Sequence, residues 1–386
     1  MDILKLNEIS PVADKVLGGK YKLVKESKQP VGIMLRSAAM HEYALPESVL
    51  AVARAGAGTN NIPSAKYAEK GIVVFNTPGA NANAVKELVI CALLLSCRKI
   101  AEGIEWTKTL SGLGKEVSVK VEAGKGAFGG GELLGKTLGV IGLGVIGAKV
   151  ANTAVDLGMN VIGYDPFISV EGAWNLNNSV KRADDVNAIY GESDFITLHI
   201  PLNDQSKGML DAAAFNKMKN GVCIVNMSRG EIVKAADLTA AIKAGKAGRY
   251  VTDFPNDEIL NKENIVCIPH LGASTAEAED NCAVMAAKQL VDYIENGNIV
   301  NSVNFPNSSM PRTGKCRAAV FHKNIKNVLS RMTEIVGGEK INIENMLSKS
   351  QGDWAYTILD LDTELPAAAE KKLHNIGEVV KIRVIK

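Results

Sequence analysis

No two of the six cysteines, at 91, 97, 223, 267, 282 and 316, form a CxxC pair. Zinc sites and dithiol redox centres depend on such spacings, so no metal site is expected. The cysteines mostly fall in apolar runs such as Val222–Val225, and they read as buried thiols in a reducing compartment rather than a disulfide framework. Charge of one sign is also missing. Lys plus Arg number 44 and Asp plus Glu 42, a net charge of +2, which excludes a general electrostatic attraction to nucleic acid or a membrane surface. Any anion recognition must be local. The longest apolar run, Leu88–Cys97, is half the length a bilayer-spanning helix needs. The N-terminal MDILKLNEIS has neither the basic start nor the apolar core of a signal peptide, so a cytoplasmic location is expected. Internal repeats and low-complexity segments are absent.

The chain does have enough apolar material for several cores. With 386 residues, 46% hydrophobic and 22% charged, it predicts two or three domains. One stretch organises the rest, KTLGVIGLGVIGAKVANTAVDLGMNVIGYD, from Lys136 to Asp165. An apolar run, Thr137–Ile141, turns through Gly142, Gly144 and Gly147, continues as an Ala-rich helix and re-enters a strand at Met159–Tyr164. Gly142 permits the tight turn, Gly144 admits a pyrophosphate to the backbone, and Gly147 allows close contact between helix and strand. Val145 and Ile146 open the helix whose positive end faces the phosphates. Asp165 closes the second strand, where a carboxylate bonds ribose hydroxyls and repels a 2′-phosphate, so the reading is NAD rather than NADP.

Before this unit, Val31–Leu35, Val49–Ala53 and Ile72–Phe75 read as strands of a parallel sheet, with a helix over Ser64–Lys70. Polar groups follow each strand: Arg36 and Ser37, then Arg54 through the glycines Gly56 and Gly58, then Asn76-Thr-Pro78. Ligands of open α/β sheets bind beyond the carboxyl ends of strands, so this domain suits a small anion. Asn83–Arg98 and Ala276–Asn296 are long helices that read as crossings between domains, while 107–131 reads as a polar, glycine-rich loop or an arm toward a partner subunit. After a loop-rich stretch to about residue 190, strands end in His199-Ile-Pro201, Asn226-Met-Ser-Arg229, Asp253 and Pro269-His270. The tail from Cys316 has the βαββαβ order of a ferredoxin-like sandwich. The predicted fold class is α/β: two Rossmann-like doubly wound parallel sheets plus this module. The expected domains are 1–88 with 287–308, then 89–286, then 314–386.

A nicotinamide enzyme needs a cation for the substrate, a proton acceptor of near-neutral pKa and a group that tunes it. Arg229 can grip a carboxylate bidentately. His270 follows a strand and suits proton exchange with a hydroxyl. A carboxylate near it would favour imidazolium; Glu258 is preferred, with Asp257 beside it as the alternative. His199 reads as structural or cofactor-lining.

These motifs, together with Leu198-His-Ile-Pro201 and Pro269-His-Leu-Gly-Ala-Ser-Thr275, resemble the D-isomer-specific 2-hydroxyacid dehydrogenase family over about residues 30–306. The resemblance implies NAD as cofactor, Arg229 as carboxylate ligand, His270 as general base with Glu258 as its partner, and Asp253 against the nicotinamide carboxamide. His199 and Pro201 would line the cofactor. Arg36, Ser37, Arg54, Gly56 and Asn83 would surround the substrate, and Lys125 would reach a neighbouring subunit's site in a homodimer or higher homo-oligomer. With Arg36, Arg54 and an ACT-like tail, the similarity narrows to members that oxidise 3-phospho-D-glycerate. A glycerate or hydroxypyruvate reductase and an NAD-sensing corepressor are the alternatives. His322, Asn324 and Asn342 match positions that bind a serine effector, although Lys326-Asn327 stands where those relatives carry Pro-Gly.

Overall fold

The computed structural model describes residues 1–386 and divides into two compact units, 1–81 with 276–386, and 82–275. Each is built on its own parallel sheet. In the first unit, β1 (Asp2–Lys5), β2 (Lys22–Val24), β3 (Gly32–Leu35), β4 (Ala51–Arg54) and β5 (Val73–Phe75) lie in the order β2-β1-β3-β4-β5. The first two strands carry charged residues at positions that are not buried, so neither reads as an apolar run, and both went unread in the sequence. The helix Ala276–Asn296 runs along this sheet, burying Cys282, Ala283, Ala286, Ala287, Leu290, Tyr293 and Ile294 at helical spacing.

The second unit contains β6 (Thr137–Ile141), β7 (Asn160–Tyr164), β8 (Lys181–Arg182), β9 (Phe195–Leu198), β10 (Val222–Asn226), β11 (Ala247–Thr252) and β12 (Ile265–Cys267). The order is β12-β11-β10-β9-β6-β7-β8, parallel throughout. Strand order reverses beside β6, the place where a doubly wound sheet leaves its ligand crevice.

The tail forms β13 (Cys316–Lys323), β14 (Ile343–Gln351), β15 (Trp354–Leu361) and β16 (Val379–Ile385), antiparallel in the order β14-β15-β13-β16, with helices Val328–Gly338 and Ala367–His374. That is the ferredoxin-like sandwich the sequence predicted. One face of this sheet is not free. Ala319, Phe321, Tyr356 and Ile358 share a core with Phe75, Leu290, Tyr293 and Phe305, and the Phe305 and Phe321 rings meet edge to face at 4.8 Å.

Three expectations need correction. The units change at 81/82 and 275/276, not at 88/89 and 286/287, and the tail clusters with the first unit. The helix Ala82–Cys97 packs over its length on the helix Val145–Asp156, β10 and β11, so it belongs wholly to the second unit. Residues 107–131 are not a loop: they include the helix Val117–Gly124 and short 3-10 turns, with the Phe128 ring packed at a tilt against Trp106, centroids 5.1 Å apart. All six cysteines are free, yet only Cys282 and Cys316 are buried and Cys91 faces solvent.

Candidate active site

The turn after β6 is built as its glycines require. Gly142 adopts φ +91°, and a Cβ there would lie 2.4 Å from the His199 carbonyl oxygen. At Gly147 a Cβ would come within 1.9 Å of the Gly142 carbonyl oxygen, so only glycine lets the helix Val145–Asp156 start against the turn. Around Gly144 no protein atom lies within 4 Å of the Cβ position. Gly144 is also the N-cap of that helix, and no side chain caps it. Open space and uncapped N–H groups at the positive end of a helix suit a pyrophosphate, with Val145 and Ile146 in the first turn.

Asp165 is fixed at the end of β7: its carboxylate accepts the N–H groups of Leu143 at 2.8 Å and Phe167 at 2.9 Å. It lines a cavity of about 500 Å³ with Gly142, Gly144, His199, Pro201 and Ser206. His199 is bonded to the Thr197 hydroxyl at 3.0 Å through Nε2. Burial pushes its imidazole down to about 4, so it stays neutral at pH 7 and lines the cavity as an uncharged ring.

On consecutive strands of the same sheet stand the residues expected to handle the substrate. Beyond β10, the loop carrying Arg229 is held by Asn226, which is fully buried. The Asn226 side chain donates to the Arg229 carbonyl at 2.9 Å and to the Tyr250 hydroxyl at 3.1 Å, and it accepts the Ser228 N–H at 3.1 Å. Thr252 in β11 donates to the Asn226 carbonyl at 2.8 Å. Arg229 itself is exposed, its guanidinium 5.7 Å from the centre of the Phe254 ring. The polar support under this arginine was missed in the sequence, although an asparagine closing an otherwise apolar strand is a legible signal.

Asp253 follows β11 and is 1% exposed. One carboxylate oxygen accepts the Gly272 N–H at 3.1 Å; the other is buried with no partner in the protein. Burial raises its pKa, with the Gly272 bond acting the other way. An unpaired buried acceptor calls for a donor, and an amide such as the nicotinamide carboxamide fits.

His270 has φ +25°, rare for a residue other than glycine, and its N–H donates to the carbonyls of Asp253 at 3.0 Å and Ile268 at 3.1 Å. Its ring packs on Phe254 with centroids 4.6 Å apart. His270, Asp253, Asp257 and Glu258 line one cavity of about 720 Å³. The Glu258 N–H is held by Asn256 Oδ1 at 3.0 Å, and no hydrogen bond joins Glu258 or Asp257 to His270.

In the first unit, the arginine that follows β3 and the one that ends β4 are tied together. Arg54 Nε donates to the Arg36 carbonyl at 2.9 Å, and the Arg54 guanidinium lies where a Cβ on Gly56 would be, 2.4 Å from Nη1. Asn7 accepts the N–H groups of Arg36 at 3.1 Å and Ala38 at 2.9 Å, and Asn61 donates to the carbonyls of Arg36 at 3.2 Å and Ala38 at 2.7 Å. Ser37 Oγ receives the Asn7 amide at 3.4 Å. The Arg36 guanidinium pairs with Glu279. Asn83 donates to Glu87 at 2.8 Å, and Lys125 pairs with Glu122 on the exposed helix before it.

The three residues expected to hold an effector do not converge within the chain. His322 is 3% exposed with both ring nitrogens engaged, by the Lys323 carbonyl at 2.8 Å and the Thr357 hydroxyl at 2.9 Å. Asn324 lies at the same end of β13, bonded to the Gly352 carbonyl at 3.1 Å. Asn342 is at the opposite end of the sheet, with its backbone on Asp362 at 3.0 Å.

Comparison with known proteins places the chain in a family. A family model described as D-isomer specific 2-hydroxyacid dehydrogenase, NAD binding domain, matches residues 90–272. The chain is 30% identical over 355 residues to D-3-phosphoglycerate dehydrogenase 2 of Saccharomyces cerevisiae, covering 85% of this chain and 72% of the relative. It is 31% identical over 338 residues to D-3-phosphoglycerate dehydrogenase of Escherichia coli, covering 85% and 78%. A crystal structure of NAD+-bound 3-phosphoglycerate dehydrogenase from Entamoeba histolytica superposes with a TM-score of 0.61 at 27% identity, over 79% of this chain and 98% of that one. No helix is long and apolar enough to cross a membrane. An NAD-binding domain with its turn, its acid and its strand-end histidine in place, and relatives matched across most of their length, make the chain a member of the D-isomer specific 2-hydroxyacid dehydrogenase family of oxidoreductases.

Proposed function

We propose that this protein oxidises 3-phospho-D-glycerate to 3-phosphohydroxypyruvate, the step that opens the phosphorylated route to serine. The observation that carries the reading is the linkage of Arg36 and Arg54 at the ends of adjacent strands. Two tethered guanidinium groups in one unit exceed what the single carboxylate of an unphosphorylated 2-hydroxy acid requires, and they suit a phosphate dianion. The names of the relatives in yeast and Escherichia coli support the same substrate.

Bound NAD supplies the acceptor for the hydride leaving the substrate carbon. The glycine turn and the uncapped helix end hold its phosphates, Asp165 its ribose, His199 and Pro201 its wall, and Asp253 its carboxamide. Arg229 takes the substrate carboxylate in its planar fork. His270 Nε2 or Nδ1 accepts the hydroxyl proton, and Glu258 stabilises the imidazolium that results. Arg36 and Arg54 receive the phosphate, with Ser37, Gly56 and Asn83 as further contacts. Lys125 serves the site of a second subunit.

The test is NADH production with 3-phospho-D-glycerate against D-glycerate at equal concentration. A preference for the phosphorylated acid of about 100-fold or more in kcat/KM is expected. Equal rates point instead to a glycerate or hydroxypyruvate reductase, and no NADH with any 2-hydroxy acid points to an NAD-binding regulator.

A further inference from the structure

We infer that Glu279 is a specificity residue, a built-in counter-ion that competes with the ligand's anion for Arg36. The inference rests on the reading that Arg36 and Arg54 receive the substrate's phosphate. Glu279 lies in the first turn of the helix Ala276–Asn296. An acid there is stabilised by the helix dipole, but Glu277 in the same turn already meets that need. What sets Glu279 apart is its partner, a guanidinium 243 residues away in the sequence.

That guanidinium is otherwise held as a ligand group is held. Asn7 and Asn61 fix the Arg36 backbone, and Arg54 is tied to its carbonyl, so two cations share one rigid corner. The helix is anchored too, through a bond from Ser10 to Asp280 in the next position. The pair still meets solvent, with side-chain exposures of 34% for Arg36 and 46% for Glu279, so an incoming anion can reach it. Before a ligand binds, Glu279 offsets part of the repulsion between the two arginines. A bound phosphate must displace the carboxylate or share the guanidinium with it. The same acid penalises a dianion more than a monoanion, so it sets how strongly the corner favours phosphorylated ligands.

Inorganic phosphate serves as the probe, titrated into the full chain without NAD or substrate and followed by the rise in thermal unfolding temperature. Wild type, Glu279→Gln and Glu279→Asp are compared, and KM and kcat with 3-phospho-D-glycerate are measured alongside. Glu279→Gln is expected to bind phosphate and lower KM by about twofold to fivefold, the range of a partly exposed ion pair. Glu279→Asp should stay near wild type. The change should sit in KM with kcat within about twofold, as loss of a ground-state competitor requires, and it should shrink at high salt. Unchanged or weaker phosphate binding by Glu279→Gln overturns the inference. If wild type makes no NADH from phosphoglycerate while Glu279→Gln still binds phosphate more tightly, the substrate reading fails and the role of Glu279 stands. If NADH appears and neither phosphate binding nor KM responds, the role of Glu279 fails alone.

Discussion

The rings of Phe254 and His270 pack with centroids 4.6 Å apart, and the guanidinium of Arg229 lies 5.7 Å from the same phenyl ring. One apolar side chain thus stands between the two groups that would hold and deprotonate a 2-hydroxy acid. Replacing His270 by Ala should lower kcat about 100-fold or more, as removal of a general base does. Phe254→Ala should lower kcat roughly tenfold by loosening the orientation of the imidazole, and Phe254→Leu, which keeps apolar bulk, should recover part of it. Steady-state NADH production decides: full activity in Phe254→Ala removes the ring from any positioning role.

Gly144 and Gly147 separate two reasons for glycine in one turn. A methyl group at 147 meets the Gly142 carbonyl at 1.9 Å, so Gly147→Ala should disturb the fold of the unit and lower its unfolding temperature. At 144 the methyl group meets no protein atom. Gly144→Ala should therefore unfold like wild type while its NAD affinity falls about tenfold or more, because only the ligand needs the space. Calorimetric titration with NAD checks this, and undiminished affinity would place the pyrophosphate elsewhere.

Strand ends were legible in the sequence because buried parallel strands read as short apolar runs, and whatever polar residue follows them stands at the sheet edge. Arg36, Arg54, Arg229, Asp253 and His270 were all found that way. Two strands were not, since Asp2–Lys5 and Lys22–Val24 carry charged residues at positions that are not buried and so do not read as apolar runs. The unit boundaries were misplaced because a helix that is apolar on several sides gives no sign of which sheet it covers. Relationships between distant residues were illegible altogether. Nothing local marks Glu279 as the partner of Arg36, or shows that His322 spends both ring nitrogens inside its own sheet.

His199 predicts a dependence of stability on acid. Its folded pKa of about 4 lies below the ordinary value of 6.5, so the unfolded chain binds the proton more readily between those values. The stabilisation is complete above pH 6.5 and is lost as pH falls toward 4, with a span of about 3 kcal/mol. Urea unfolding at pH 7 and pH 4.5 should show a smaller midpoint at the lower pH, and His199→Gln should reduce that difference. An equal pH response in the variant would assign the effect to other groups.

The C-terminal module is tied to the rest of its unit by a buried arginine that an ion pair inside the module holds in place. Arg317 and Asp360 are both 0% exposed and meet at 2.6 Å. Arg317 also donates to the carbonyls of Asn296 at 2.8 Å and of Met310 and Pro311 at 3.1 Å. Arg383 donates to the carbonyls of Tyr293 at 3.0 Å and Ile294 at 2.9 Å, and the Tyr356 hydroxyl to that of Gly297 at 2.6 Å. The module therefore caps the C-terminal end of the helix Ala276–Asn296 with two cations, where the dipole is negative. For Asp360, burial works to raise the pKa, but the bonds from Arg317 and Thr313 outweigh it and hold the carboxyl below its usual value. Asp360→Ala should destabilise the unit by about 3–5 kcal/mol, because it leaves the guanidinium buried and unpaired. The double variant Arg317→Met, Asp360→Leu removes both charges and should unfold at higher denaturant than the single one. If the single variant proves the more stable, the ion pair is not what fixes Arg317 against the helix end, and the bonds of Arg383 and Tyr356 together with the shared core of Phe305, Phe321 and Tyr356 hold the module.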